Sequence, residues 1–117
     1  MFMVSVATAR QSALSLPEVE EKSHFETPDF RINNKIFASL HEDKNLMMVK
    51  LSLVDQSVFC AFDADIIYPV PGGWGKKGAT YINLKKVRKP MLQDALSTAW
   101  KTVAPRKIVQ KYYPEND

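Results

Sequence analysis

Two histidines, one cysteine and one glycine-rich loop are the places in this sequence where residue type and spacing could support chemistry. His24 and His41 are its only imidazoles, the side chain best suited to proton transfer and metal ligation near neutral pH. Neither has a cysteine or carboxylate at the close spacing of a metal site, so packing at strand edges is preferred to a zinc or catalytic role. Cys60 is the single cysteine, which excludes a disulfide within the chain and suits a reducing cytoplasm. Between Phe59 and Ala61 it reads as a small buried thiol, since no activating base can be placed beside it. Asp55, Asp63 and Asp65 are scattered, and Met47-Met48 reads as core filling. No catalytic residue, metal site or cofactor is read from these types.

The loop Tyr68-Pro69-Val70-Pro71-Gly72-Gly73-Trp74-Gly75-Lys76-Lys77-Gly78 holds all four glycines of the chain. Its backbone amides, with Lys76 and Lys77, could hold a phosphate or carboxylate. The glycine and lysine spacings of the phosphate-binding and dinucleotide-binding loops are both absent. The preferred reading is a structural loop whose Trp74 plugs the edge of the core.

Charge is lopsided. The net value is +3, yet residues 76–117 hold ten Lys/Arg against three acids, and residues 1–75 hold six against ten. Lys85, Lys86, Arg88 and Lys89 stand together, and with Lys76, Lys77, Arg106, Lys107 and Lys111 could form one positive face. Such a face binds nucleic-acid phosphates without reading sequence. Trp74, Tyr81, Tyr112 and Tyr113 could stack on bases beside it. Solvated loop charge explains the same residues equally well, and no helix-turn-helix or RNA-motif signature is present.

The elements that must position these groups follow from period and punctuation. The 117 residues, 45% hydrophobic and 25% charged, make about one globular domain with a modest core. The spacing of Val6, Ala9, Ala13 and Leu16 predicts a first helix over about 4–16, stopped by Pro17 and followed by an acidic exit at Glu18, Glu20 and Glu21. Pro28-Asp29 signals a turn. Phe30–Ile32, Ile36–His41 and Leu46–Leu51 read as strands, joined by Asn33-Asn34-Lys35 and by Glu42–Asn45. Ser52 caps a helix to Phe62, with Val54, Val58, Phe59 and Phe62 on one face. Thr80–Leu84 is a last strand. Pro90 opens a final helix to about Val103, with Leu92, Leu96, Ala99 and Trp100 in its stripe. Residues 106–117 form a basic tail, in which Arg106–Tyr113 reads either as a further short helix or as a mobile end. No apolar run is long enough to cross a bilayer, and the start Met1–Ala7 lacks the basic lead of a secretion signal. The expected location is the cytoplasm.

Several stretches together resemble the MmcQ/YjbR family. They are Asn33–Leu40, Val49–Ser52, Pro69–Gly78 and Ala99–Pro105, with Leu16–Val19 fitting the opening. The resemblance spans about residues 8–109. It implies a single α+β domain of CyaY-like, double-wing form: an antiparallel sheet with N- and C-terminal helices packed on one face. Members are often labelled DNA-binding by analogy of fold, and the family offers no catalytic residues to carry over. Ala79 stands where relatives often carry Trp. The related frataxin-like fold suggests iron, but the acidic ridge this would need is not evident. The resulting expectation is a non-enzymatic module with no cofactor. Lys76, Lys77, Lys85, Lys86, Arg88 and Lys89 would contact DNA phosphates, with Trp74 and Tyr81 at the contact loop. The alternative is an adaptor for a protein or small ligand that uses the Pro/Gly/Trp loop.

Overall fold

The computed structural model describes residues 4–114. The chain runs α1 (Val6–Leu14), β1 (Val19–His24), β2 (Thr27–Ile32), β3 (Lys35–His41), β4 (Leu46–Lys50), α2 (Leu53–Phe62), β5 (Ile67–Pro69), α3 (Gly73–Lys76), β6 (Ala79–Asn83), α4 (Lys89–Val103) and α5 (Arg106–Tyr112). The strands form one six-stranded sheet in the order β1-β2-β3-β4-β6-β5, and every pairing is antiparallel. This is the α+β architecture expected from the sequence.

Alternation along the strands builds the core. Phe30, Ile32, Ala38, Leu40, Met47, Val49 and Ile82 are fully buried on one face of the sheet. Leu92, Ala95, Leu96, Ala99 and Trp100 of α4, with Ala9 and Ala13 of α1, are buried against them. A bulge between Phe30 and Arg31 in the β2–β3 pairing leaves Phe37 and Ala38 both buried. Trp100 satisfies its indole by donating Nε1–H to the Pro17 carbonyl at 2.9 Å, which ties the last long helix to the exit of the first.

Two boundaries differ from expectation. The strand ending at His24 begins in the acidic exit: Val19–His24 is an edge strand, exposed at every position after Val19. Its sequence shows no alternation because the strand is held by main-chain pairing to β2 rather than by burial. The turn falls at Phe25-Glu26, not Pro28-Asp29, and Pro28 lies within β2. Of the two readings of the basic tail the helix holds, through Tyr112. Its Ile108 and Val109 pack on the core, and the Tyr112 hydroxyl donates to Glu18 Oε2 at 2.7 Å. The tail's last residues and Met1–Met3 lie outside the described part. No helix among the described residues is long and apolar enough to cross a membrane.

The largest difference is the roll of α2. Ser52 caps it as expected, accepting from the Asp55 amide at 3.1 Å. Of the expected apolar stripe only Phe59 packs on the core; Val54 is 74% exposed, Val58 65% and Phe62 66%. The buried residue is Gln56. Its Nε2 reaches the Gly75 carbonyl at 2.9 Å, the Ala79 carbonyl at 3.2 Å and Thr80 Oγ1 at 3.1 Å. A helix that rolled to bury the stripe would strip this amide's partners from three buried acceptors.

Candidate functional site

With α1 and α4 on one face of the sheet, the other face carries no helix from either end of the chain. The register places Asp29 beside Ser39, Ser39 beside Met48 and His41 beside Leu46, Met48 beside Tyr81 and Tyr81 beside Tyr68. These open-face side chains pack on one another across strands. His41 and Tyr81 meet edge-to-face with centroids 5.6 Å apart, and Tyr81 meets Tyr68 at 6.0 Å.

A cavity of about 410 Å³ opens on this face. Ile36, Ser39, His41 and Lys50 form its floor and sides, while Phe25 and Trp74 stand at its margins. Phe25 comes from the β1–β2 turn. Trp74 comes from the segment leading into β6, which two strands separate from β2. Both aromatics are held out in solvent, Phe25 at 88% exposure and Trp74 at 70%. Trp74 is therefore not the core plug expected from the sequence. The loop is closed instead by its backbone: a Cβ on Gly75 would lie 1.9 Å from the Val70 carbonyl oxygen, and one on Gly78, at φ +109, 1.9 Å from that of Leu51. These two glycines let the loop backbone lie directly against Val70 and Leu51.

Phe25 is held at some cost. It and Glu26 have φ of 50 and 65 and link the paired residues His24 and Thr27, the pattern of a two-residue type I′ turn. The same turn joins β2 to β3 through Asn33 and Asn34, at φ 52 and 64. Asparagine tolerates that region; a bulky side chain rarely occupies it.

The electrostatics of the cavity are simple. Asp29 is buried but answered by Arg31, whose Nε and Nη2 donate to its two oxygens at 2.8 and 3.2 Å. Lys50 has no acidic partner among the described residues. Ser39 Oγ and His41 Nε2 are 3.1 Å apart. Burial lowers the His41 pKa and nearby Lys44 adds to this, while Asp43 opposes it. His24 lines the same cavity, so the two histidines converge although the sequence holds them apart. No group of three metal-ligating side chains exists among the described residues.

The six lysines and arginines expected to form one surface are divided. Lys76 and Lys77 precede β6 and the other four follow it, and the five residues of β6 span roughly 13 Å at strand rise. Lys85, Lys86, Arg88 and Lys89 gather at the N-terminus of α4. Its first turn holds no acidic residue. Arg88 and Lys89 border a hollow of about 490 Å³ shared with Ser5, the cap of α1. Arg88 also lines a second hollow with Lys86, Asp63 and Phe62. Tyr112 and Tyr113 are committed elsewhere, edge-to-face on Trp100 at 6.3 and 5.6 Å. Tyr81 lies on the open face, half-buried, away from those cations.

Fold and sequence agree with known proteins at two levels. A family model described as YjbR matches residues 14–102. The chain belongs to the YjbR family. Its fold is similar to that in the crystal structure of Deinococcus radiodurans protein DR2400, which carries the domain DUF419. The TM-score is 0.76 and the identity 18%, over 94% of this chain and 88% of that one. No curated protein matches. The likeness to that structure extends to the whole α+β fold. Phe25, Ile36, Ser39 and Lys50 were not singled out from the sequence. The one signal available was a bulky aromatic in a two-residue turn flanked by strands.

Proposed function

We propose that this YjbR protein is a non-enzymatic binding module whose ligand seats on the open face of the sheet, between Phe25 and Trp74. The observation that carries this reading is the pair of exposed aromatics flanking one cavity, one of them on a backbone conformation unfavourable to it. Strained backbone persists where the surroundings require it and concentrates at binding sites. The volume falls in the range of small-molecule sites, about 300–1,000 Å³. The Ser39–His41 contact supports binding rather than nucleophilic catalysis, because no carboxylate hydrogen-bonds to the imidazole among the described residues. The test is amide and methyl NMR on the full chain with a set of small organic fragments. Fragments that bind shift Phe25, Ile36, Ser39 and Trp74 together, and Trp74→Ala abolishes the shifts while leaving the rest of the spectrum in place. If no fragment moves these residues, the reading is wrong.

A second reading rests on a separate observation. The cluster Lys85, Lys86, Arg88 and Lys89 sits at a helix N-terminus, where the macrodipole adds positive potential. This arrangement suits phosphate contacts, including those of DNA. Reversal of all four to Glu then removes DNA binding and its salt dependence; unchanged anisotropy titrations would discard it. Lys76 and Lys77, at the other end of β6, contribute little to that surface.

A further inference from the structure

Resting on the open-face reading above, we propose that the groove is a site for a small organic acid: an apolar body held between Phe25, Ile36 and Trp74, with its carboxylate on Lys50. Three observations select this class. First, the walls are aromatic and aliphatic, so the body of the ligand is apolar. Second, the formal charges are resolved in one direction. Asp29, the one acid lining the groove, is held by Arg31 through both of its oxygens, which leaves no unpaired carboxylate in the lining to repel a ligand carboxylate. Lys50 is exposed on the same face and has no acidic partner among the described residues. Third, the Ser39 hydroxyl stands beside His41 Nε2 at 3.1 Å. When the imidazole carries its hydrogen on Nε2 it donates to Ser39 Oγ, and the hydroxyl hydrogen is then free to donate to a ligand oxygen.

Size narrows the class further. A cavity of about 150 Å³ holds a benzene ring, so about 410 Å³ accommodates a ring with a short acid chain. An acid on an extended chain would leave part of its body in water and gain little from Trp74.

The experiment uses the full-length chain and three probes that share one body: 4-phenylbutanoate, 4-phenylbutanamide and 4-phenylbutylamine. Binding is read by calorimetry and by the fluorescence of Trp74, Trp100 being buried and serving as the internal reference. The acid is expected to bind about fivefold more tightly than the amide, the upper range for a solvent-accessible ion pair, and the amine least. Lys50→Met brings the acid down to the amide and leaves the amide unchanged; Lys50→Arg restores the preference. Lys50 is exposed, so the fold tolerates both changes. Equal binding of acid and amide, or an acid preference that survives Lys50→Met, overturns the assignment of the carboxylate while the open-face reading stands. Binding of none of the three overturns the organic-acid assignment as well, and the fragment shifts then decide separately whether the face is a site at all.

Discussion

Phe25→Asn is expected to make the protein more stable and its groove weaker. Phe25 occupies the first position of a type I′ turn at φ 50, where an L-residue other than Gly pays about 1–2 kcal/mol. Asn recovers part of that through its tolerance of the left-handed region, on the order of 1 kcal/mol. Against this stands the edge contact of Phe25 with the His24 ring, centroids 4.4 Å apart, worth up to about 0.5 kcal/mol at an exposed position. No other burial is lost, because Phe25 is 88% exposed. The net gain is about 0.5 kcal/mol, or a rise in Tm of roughly 2–3 °C for a domain of this size. The β2–β3 turn supplies an internal standard, since Asn33 and Asn34 hold the same conformation with suitable residues. Urea titration and thermal scans of Phe25→Asn and Phe25→Leu check the reasoning: the first rises, the second, which keeps the strain, does not. Both lose affinity for groove ligands. A Phe25→Asn protein less stable than the parent would refute the argument and give the aromatic a structural reason to be there.

Other expected outcomes concern the supports of the site. Gln56→Leu removes one donor from three acceptors; Gly75 and Ala79 carbonyls each keep a main-chain partner, so the loss is about 1–2 kcal/mol, read by urea denaturation, with increased hydrogen exchange at Gly75–Thr80. Gly78→Ala forces a Cβ onto the Leu51 carbonyl at a positive φ and costs about 2 kcal/mol or more, whereas Gly73→Ala meets open space in a helical turn and is neutral or slightly stabilising. The His41 pKa is lowered on folding, so the unfolded chain binds its proton first: stability from this group is complete above about 6.5, the unfolded value, and is lost as pH falls below it. His41→Gln flattens the stability profile in that range. Burial raises the Cys60 pKa, and alkylation at pH 7 is expected to be slower than for a free thiol; a rate matching glutathione would contradict it.

The elements themselves were legible wherever burial and period coincide. Strands β2 to β4, the Ser52 cap, the stripe of α4 and the Asn33-Asn34 turn all read directly from side-chain type, because each is a local rule with one dominant cause. The start of strand β1 was not legible, since it is fastened by backbone pairing and leaves no alternation in its side chains. The face of α2 was read correctly only at Phe59, for a different reason. Period shows where the apolar stripe runs, but three acceptors brought together from the loop and β6 decide which side of the helix turns inward. The candidate site shows the same division. Composition alone determined the single thiol, the two imidazoles, the lopsided charge and a glycine-rich loop able to make close backbone approaches. Tertiary structure alone decided that His24 and His41 share a cavity, that Trp74 points outward over it, and that the six basic residues fall at two ends of β6. These are relations between strands distant in sequence, set by the order β2-β3-β4-β6, and a linear pattern carries no record of which strand lies beside which.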